Sequence, residues 1–438
     1  MRYTLPILQL AVLMMIQGLN YNCYASFPPY PEVTFLVFSD PHFYDPDLGT
    51  EGKVFQDYLD KDRKLLKESV EILEETFRFI AKTDADFVLV PGDLTKDGEK
   101  SGHIKMGQYL ERIQSSGKKV FVVPGNHDIN NPDAYRYAGD MKERVHSVTP
   151  QEFSEIYAGF GYSNALFRDM NSLSYVTEPV DGLWILGLDA CRYNDNPAEG
   201  HPVTSGRFSR ETLKWLEEIL AAGSSRNKAM IAFMHHGVLE HYKKQKKFYG
   251  EYVVDNHKKV SALLASYGVR IVCTGHYHAQ DITMKTFGKG NFILDIETGS
   301  LVTYPCPIRT IHISGSQELT VSTFFIENLP SVPDFKKYSR DYVHSGISGI
   351  AANTLIGMKV DSAEAWALSG QVADAFVAHY AGDEIVPEKP LDMEGISFKG
   401  KFLIGFKKNL VKTLYHDLYP EDNFLRNTLT GFKALSGY

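Results

Sequence analysis

Six short runs of apolar residues recur through this chain, and polar side chains of the kind that bind metal ions follow five of them. The runs are continuous rather than alternating, which is typical of strands covered on both faces of a sheet. They are TFLVF from residue 34, FVLV from 87, VFVV from 120, LWILGL from 183, AMIAFM from 229 and IVCT from 271. Segments with helical spacing of apolar residues lie between several of them, notably Asp60 to Lys82 and Leu213 to Ala222. This alternation predicts a layered α/β fold.

The polar residues at the ends of these runs form a consistent set. They are Asp40, His42, Asp93, Asn126, His127, Asp128, His235, His236, His276 and His278. Taken singly, each has an ordinary explanation as a helix cap, a turn residue or part of a solvated loop. In an α/β sheet, however, the functional crevice lies outside the carboxyl ends of the strands, so we expect these side chains to converge. So many oxygen and imidazole ligands at one buried edge predict a metal site.

The order and form of these motifs resemble the signature of the calcineurin-like metallophosphoesterases. The matching motifs are Asp40-Pro41-His42, Gly92-Asp93, Gly125-Asn126-His127-Asp128, His235 and Gly275-His276-Tyr277-His278. The resemblance covers about residues 33 to 325. It implies a four-layer α/β/β/α sandwich, in which two facing sheets carry helices on their outer sides. The second sheet rests on the resemblance, whereas the layered α/β part also follows from the pattern of apolar runs.

The same resemblance implies two metal ions and assigns their ligands. The first ion would be held by Asp40, His42 and His278, and the second by Asn126, His235 and His276. Asp93 would bridge them, because a carboxylate can share its oxygens between two cations and an imidazole nitrogen cannot. His236 is the less favoured alternative to His235. The mixed nitrogen and oxygen ligands suit Mn, Fe and Zn about equally.

His127 and Asp128 are the predicted catalytic pair. In the family, the histidine at the position of His127 faces the substrate, where it stabilises the phosphoryl group or protonates the departing oxygen. We expect Asp128 to orient its ring and raise its pKa. The implied mechanism is attack of a metal-bound hydroxide on phosphorus, in line with the leaving oxygen. Three further histidines, His103, His201 and His241, are expected on the surface.

The substrate class is narrowed by a weaker likeness. Gly92-Asp93-Leu94-Thr95 followed by Gly98 resembles the branch that contains cyclic nucleotide phosphodiesterases and glycerophosphodiesterases, and Asp295 to Pro305 is similar to a second region of that branch. This favours hydrolysis of nucleotide or cyclic nucleotide phosphodiesters. Two alternatives remain: a phosphomonoesterase of acid phosphatase type, and a metal-stabilised binding protein that acts through its C-terminal region without catalysis.

Composition limits the possible partners. The chain has 438 residues, of which 43% are hydrophobic and 23% charged, so a folded protein with a large core is expected. The formal net charge of −8 argues against broad electrostatic binding of nucleic acid, and no stable complex with nucleic acid is expected. The predicted partner is a small phosphoester.

The ends of the chain differ in texture from its middle. Residues 1–25 are predicted to be a signal peptide, because Arg2 precedes the apolar run Leu5 to Ile16 and small residues follow. The protein would then be exported, either periplasmic or secreted, with lipid anchoring through Cys23 as the less favoured alternative. We expect a catalytic domain over residues 26–330 and a helical accessory domain over residues 331–438. No further segment is predicted to span a membrane. The three remaining cysteines allow at most one disulfide.

Overall fold

The structure, a computed structural model, describes residues 27–405 and 408–430, apart from the side chain at position 289. The predictions of a signal peptide and of lipid anchoring at Cys23 therefore lie outside it. The strands of this part are β1 (Val33–Val37), β2 (Phe87–Val90), β3 (Lys119–Val122), β4 (Tyr135–Ala138), β5 (Met141–Arg144), β6 (Phe167–Arg168), β7 (Tyr175–Val180), β8 (Leu183–Leu188), β9 (Ala229–Met234), β10 (Ile271–Thr274), β11 (Asp281–Thr286), β12 (Phe292–Glu297), β13 (Pro307–Ile313), β14 (Glu318–Phe325) and β15 (Phe424–Thr428). All six predicted strands are present.

Two large sheets organise these strands. The first has the order β15-β14-β13-β1-β2-β3, and the second has the order β11-β12-β10-β9-β8-β7-β6. Strands β1, β2 and β3 run parallel, as do β8, β9, β10 and β12. The antiparallel strands lie toward the edges, and β4 and β5 form a separate hairpin. The parallel centre of each sheet therefore sends its carboxyl ends in one direction.

The helices connect the strands or follow them. They are α1 (Lys53–Leu59), α2 (Ser69–Ala81), α3 (Lys100–Ser115), α4 (Pro150–Ile156), α5 (Asn196–Glu199), α6 (Arg210–Ser225), α7 (Gln245–Phe248), α8 (His257–Ser266), α9 (Phe335–Gly357), α10 (Ser362–Ala381), α11 (Phe398–Ile404) and α12 (Lys408–Leu414). Local sequence sets several of their ends: Ser209 caps α6 by accepting the Thr212 N–H, and Asp361 caps α10 in the same way.

Strand β9 is buried on both faces, which explains why its sequence is apolar throughout. Alternate residues such as Ile231 and Phe233 join the core between the two sheets, which also contains Val88 of β2. The residues in between, such as Met230, join a second core under α6 and α8. Because both faces are covered, no position along β9 is left for a polar side chain. The predicted four-layer arrangement of helices outside two facing sheets is confirmed.

The helix expected over Asp60 to Lys82 is shorter than predicted. Helix α2 begins at Ser69, and the residues before it form a loop that starts at the end of α1. The loop is held in place by a hydrogen bond from the Leu65 N–H to the Val302 carbonyl, 2.7 Å long. This tertiary contact replaces the first turns of the helix, and it brings Arg63 and Lys64 to the cavity described below.

The C-terminal region is helical, as expected, but its last strand was not predicted. Helices α9 to α12 bury a core of their own that includes Tyr277 and Ala279 of the preceding part of the chain. The third predicted helical segment, Phe398 to Leu418, contains the two short helices α11 and α12. Strand β15 then pairs with β14 at the edge of the first sheet. The described residues after position 331 thus share both a core and a sheet with the residues before them.

Two smaller expectations concern cysteines and membranes. Cys191, Cys273 and Cys306 are free in the structure. Among the described helices, none is both long and apolar enough to cross a membrane.

Candidate metal centre

Both sheets contribute side chains to one site at the carboxyl ends of their parallel strands. The turns after β1, β2 and β3 supply Asp40, His42, Asp93 and Asn126, and the turns after β9 and β10 supply His235, His276 and His278. All seven side chains are buried, each being at most 4% exposed. Side chains from positions more than 200 residues apart therefore meet in one buried cluster.

One group of ligand atoms comes from Asp40, His42 and His278. Each residue offers one atom within 4.8 Å of the other two. The Nε2 atoms of His42 and His278 lie 3.2 Å apart, and the Nε2 of His278 lies 3.5 Å from Oδ1 of Asp40. Two imidazole nitrogens and a carboxylate oxygen thus point at the same small volume, which is the arrangement that a transition-metal ion requires.

A second group is formed by Asp93, His235 and His276, again within 4.8 Å. The Nε2 of His235 also lies 3.1 Å from Oδ1 of Asn126, while its Nδ1 is 2.8 Å from the Pro91 carbonyl oxygen. Oδ2 of Asp93 lies 3.3 Å from the Nε2 of His235 and 3.5 Å from the Nε2 of His42. This single oxygen therefore lies between the two groups.

The neighbouring His236 faces away from these atoms. Its Nε2 lies 2.9 Å from the Thr204 carbonyl oxygen, and the Nε2 of His276 lies 3.0 Å from the same oxygen. The carbonyl thus accepts from both rings, which leaves Nδ1 of His276 for the metal centre. His235 is the member of the pair that lies beside Asp93 and Asn126.

The backbone at the site adopts a conformation that side-chain-bearing residues rarely take. Five of the seven residues have positive φ angles, namely Asp40 at 49°, His42 at 35°, Asp93 at 47°, His276 at 79° and His278 at 69°. Left-handed backbone costs about 1–3 kcal/mol at a residue with a Cβ and persists only where the surroundings enforce it. Its concentration here indicates that these turns are shaped for ligand placement and not for local stability.

Two glycines of the motifs allow the turns to approach each other. A Cβ at Gly125 would overlap Asp93, and a Cβ at Gly275 would overlap Ser39 and Asp40. The space is needed because the His276 N–H donates to Asp40 at 3.0 Å and the His127 N–H donates to Asp93 at 2.9 Å. Glycine at these positions lets turns from different strands pack closely enough for these backbone N–H groups to reach the carboxylates.

The protonation states of the histidines fit metal binding. Burial lowers the pKa of His42, His276 and His278, which keeps these imidazoles in the neutral form that binds metals. Burial also acts against the charged form of His235, but the negative charges of Asp93 and Asp40 outweigh it and raise its pKa to about 9. A cation at this position would replace that proton. The ligand set thus fits two metal ions.

His127 lies beside the ligand groups, and its side chain is 24% exposed. Its Nδ1 lies 2.8 Å from Oδ1 of Asp97. Burial lowers the pKa of His127, but the negative charges of Asp93 and Asp97 outweigh this effect and raise it. His127 is thus held by a carboxylate on one side, while its ring borders the open cavity.

The prediction that Asp128 orients His127 is wrong. Oδ2 of Asp128 accepts the N–H groups of Gly125 and Leu94, at 2.8 and 3.1 Å, and Oδ1 accepts the Thr95 N–H at 3.0 Å. Burial and the nearby charge of Asp93 raise the pKa of Asp128 to about 7. The carboxylate therefore fastens the turn after β2 to the turn after β3, and Asp97 takes the position next to the imidazole.

Asp97 was missed because Asp97-Gly98 reads as an ordinary turn. Burial favours the neutral acid, but the charge of Lys96 and the bond to His127 outweigh it and hold the pKa of Asp97 below its usual range. Lys96 is itself fully buried; it pairs with Asp97, and its Nζ lies 4.4 Å from the centre of the Tyr58 ring. The packing of aromatic rings around the buried Lys96 is visible only in the structure, so the sequence alone did not single out Asp97.

The surface placement expected for three histidines holds only for His201. His103 is fully buried, with Nδ1 2.8 Å from the Tyr157 hydroxyl and Nε2 2.9 Å from the Asp128 carbonyl oxygen. His241 is also fully buried, far from the surface position predicted for it, and its Nδ1 lies 2.7 Å from Asp281. Both nitrogens of His103 have hydrogen-bond partners that compensate for the burial of its ring, whereas His241 is bonded through Nδ1.

Comparison with known proteins agrees with the geometry of the site. Residues 33–280 match the model of the calcineurin-like phosphoesterase family, which is more than half of the chain. The chain belongs to the calcineurin-like phosphoesterases. No curated protein matches its sequence.

Solved structures similar to this phosphoesterase share little sequence with it. A dimetal phosphatase from Danio rerio is 15% identical, with a TM-score of 0.47, and the match covers 67% of this chain and 96% of that one. Purple acid phosphatase PPD1 from yellow lupin (Lupinus luteus) is 12% identical, with a TM-score of 0.41. That match covers 68% of this chain and 53% of the lupin protein, so it spans about half of the latter's length.

Membership of the family gives the site its general chemistry. Calcineurin-like phosphoesterases hydrolyse phosphoesters, and the two ligand groups imply two metal ions and a small phosphoester as substrate. The cavity over the ligands has a volume of about 470 Å³ and is lined in part by Arg63, Lys64 and His127. Its cationic residues complement the negative charge of a phosphoester.

Proposed function

We propose that this phosphoesterase hydrolyses phosphodiesters, with nucleotide or cyclic nucleotide esters as the leading substrates. The observation that carries the proposal is the combination of two ligand groups, with Asp93 between them, and a partly exposed His127 beside them. A site that only stabilised the fold would have no use for a histidine that contacts a buried carboxylate and faces a cavity. This combination favours catalysis over a purely structural or binding role.

The residues divide the work among binding, orientation and proton transfer. Asp40, His42 and His278 would hold one ion, Asn126, His235 and His276 the other, and Asp93 would contact both. The ions, when bound, supply Lewis acidity that activates water and neutralises phosphoryl charge, and Mn, Fe and Zn all suit these ligands. His127 donates a proton to the departing oxygen, and Asp97 keeps its ring in position through Nδ1.

The preference for a diester is supported by the space next to the cavity that contains His127. A second cavity of about 260 Å³ adjoins it, and Arg63 and Tyr252 line both. The second cavity is lined mainly by aromatic and aliphatic side chains, including Tyr249, Tyr277 and Phe376. The two spaces can take a phosphoryl group and an apolar or aromatic substituent, and tyrosine rings suit a nucleobase because they stack on its face.

The deciding experiment compares bis-p-nitrophenyl phosphate with p-nitrophenyl phosphate as substrates. The protein is stripped of metal and reloaded with Mn²⁺, and Asp93→Ala serves as the control that removes the shared ligand. We expect the diester to be hydrolysed with the higher kcat/KM and the control to be inactive. Preference for the monoester would replace the proposal with phosphomonoesterase activity, and failure to cleave either ester with any metal would refute catalysis.

We also propose that the protein is exported after cleavage near residue 25. The support is the charged and apolar pattern of the first 25 residues. Mass spectrometry of the protein from its native host tests this: a mature chain that starts near residue 26 is expected, a lipid on Cys23 would indicate membrane anchoring instead, and an uncleaved chain would refute export by this route.

A further inference from the structure

A second cluster of ionisable side chains lies where the C-terminal helices meet the second sheet. Asp281 opens β11, Glu297 closes β12, His379 lies in the last turn of α10, and Glu384 follows that helix. One ligand atom from each of Asp281, His379 and Glu384 lies within 4.8 Å of the other two. The side chains of these four residues are at most 2% exposed. The cluster thus joins the catalytic part of the chain to the helical region.

Acidic side chains outnumber basic ones in this cluster. Asp295 and Asp422 are buried close to it, which adds two carboxyl groups to those of Asp281, Glu297 and Glu384. The buried Arg309 does not balance them directly, because its guanidinium donates to the backbone carbonyls of Glu297 and Asp422. His241 lies 2.7 Å from Asp281 and 3.3 Å from Asp295. Two imidazoles and one guanidinium thus face five buried carboxyl groups.

Several polar atoms of the cluster lack a hydrogen-bond partner within the described part of the chain. They are Oε1 of Glu297, Nε2 of His241, Nε2 of His379 and Oε2 of Glu384. An unsatisfied buried polar atom destabilises the folded protein, so native proteins rarely keep several together. Glu297 interacts electrostatically with both Asp281 and His379, so its free oxygen belongs to the same cluster. A bound cation would coordinate unpartnered nitrogen and oxygen atoms and would balance the excess of acidic groups.

We propose that Asp281, His379 and Glu384 bind a third metal ion. A set of one imidazole and two carboxylates suits Zn²⁺ or Mn²⁺, whereas Ca²⁺ and Mg²⁺ take oxygen ligands. Asp281 is three residues after His278 in the chain, and His379 and Glu384 belong to the helical region. The ion would therefore fasten the end of α10 to the strand that follows the catalytic histidines. Its role is structural, since the ligands lie outside the cavity that contains His127.

The test counts metal ions and does not depend on turnover. Full-length protein is loaded with Zn²⁺ or Mn²⁺, freed of excess metal by gel filtration, and analysed by inductively coupled plasma mass spectrometry. The variant Glu384→Gln is compared with Glu388→Gln, which alters an exposed glutamate of the same segment. We expect Glu384→Gln to hold one ion fewer per chain than the wild type and Glu388→Gln to hold the same number. Equal metal content in all three proteins would refute the third site.

Two further measurements separate this site from the catalytic one. Asp93→Ala should lose ions of the catalytic centre but keep the one that Glu384→Gln removes, so the double variant should hold fewer ions than either single variant. If Glu384→Gln does not fold, anomalous diffraction from wild-type crystals at the metal edge decides. A peak between Asp281, His379 and Glu384 supports the proposal. Peaks at the catalytic ligands alone would overturn it, and would mean that protons on the buried carboxyl groups balance the cluster.

Discussion

Asp97 is the residue through which His127 is held in position. Its carboxylate contacts Nδ1 of the imidazole and is kept ionised by the buried Lys96 beside it. A histidine fixed at one nitrogen presents the other to the substrate in a defined direction, which is what proton donation to a leaving oxygen requires. In the proposed mechanism, Asp97 therefore acts through His127 and is a positioning residue.

Substitution of this pair should affect poor leaving groups most. We expect His127→Ala to reduce turnover of an alkyl phosphodiester by about 100-fold or more, and Asp97→Asn by a smaller factor, because general acid catalysis contributes about that much. Turnover of a p-nitrophenyl ester should fall much less, since that leaving group needs no proton. Metal content should stay at the wild-type level in both variants.

Asp133→Asn provides the control, because Asp133 lines the same cavity without contacting His127. The double variant His127→Ala/Asp97→Asn should turn over substrate hardly more slowly than His127→Ala alone, since His127 and Asp97 act as one unit. Equal losses on good and poor leaving groups, or a loss of metal, would contradict the proposed roles.

The buried His103 should make the free energy of unfolding depend on pH. Burial lowers its pKa to about 4, although its bond to the Asp128 carbonyl acts in the opposite direction. Between pH 4 and 6.5 the unfolded chain therefore binds a proton that the folded protein does not, so the free energy of unfolding falls as the pH falls. The effect reaches about 3 kcal/mol below pH 4 and disappears above pH 6.5.

Urea denaturation between pH 7.5 and pH 4 tests this in the wild type and His103→Gln. The variant should be less stable at pH 7.5, because it loses hydrogen bonds to Tyr157 and Asp128. The gap should narrow toward pH 4. Stability curves that run parallel across this range would show that His103 does not titrate as proposed.

At the scale of single elements, β15 shows how the C-terminal region is attached to the core. It pairs with β14 over five residues and buries Leu425, which is 5% exposed, while Phe424 on the other face is 53% exposed. The strand covers an edge of the first sheet that would otherwise present unpaired N–H and carbonyl groups.

Two substitutions in this strand should differ in cost. Leu425→Ala removes a side chain from the core and should lower the free energy of unfolding by about 2–4 kcal/mol. Phe424→Ala, one position along the same strand, should cost less than about 1 kcal/mol because its ring lies largely in solvent. Denaturant unfolding of both variants measures the difference, and equal costs would mean that β15 does not pack as described.

At the scale of the whole molecule, the metal centre closes the space between the two sheets. Its ligands come from the turns after five strands, three in one sheet and two in the other. Bound ions would hold these turns together and would be coordinated by buried ring nitrogens such as Nε2 of His42 and His278. Stability of the folded chain and occupancy of the site should therefore be coupled.

Removal of metal by a chelator should abolish activity and lower the thermal midpoint of unfolding by more than about 5 °C. Metal ions that bind only the folded state stabilise it by mass action, so their removal destabilises the protein. Differential scanning calorimetry before and after readdition of Mn²⁺ measures the shift. Asp93→Ala should show a smaller response to the chelator than the wild type. A thermal midpoint that is insensitive to chelation in the wild type would contradict the coupling.

The strands and the convergence of the candidate ligands could be predicted from the sequence for a local reason. Strands covered on both faces must be apolar throughout, and the polar residues that end them are adjacent in sequence, so both appear as short patterns. The seven ligand positions follow from this pattern together with the family motifs. The start of helix α2 and the presence of strand β15 could not be predicted in this way. A hydrogen bond from Leu65 to Val302 shortens α2, and pairing with β14 creates β15.

By itself, then, the sequence determined the layered α/β architecture, the family and the residues that meet at the metal centre. Only the tertiary structure decided which carboxylate serves His127. Asp128 is adjacent in sequence, but backbone N–H groups of two turns occupy its oxygens, while Asp97 reaches the ring from another strand's turn. The same is true of Asp281, His379 and Glu384, which come together only because α10 packs against the second sheet. Contacts between distant segments depend on how the layers pack, and no short stretch of sequence contains that information.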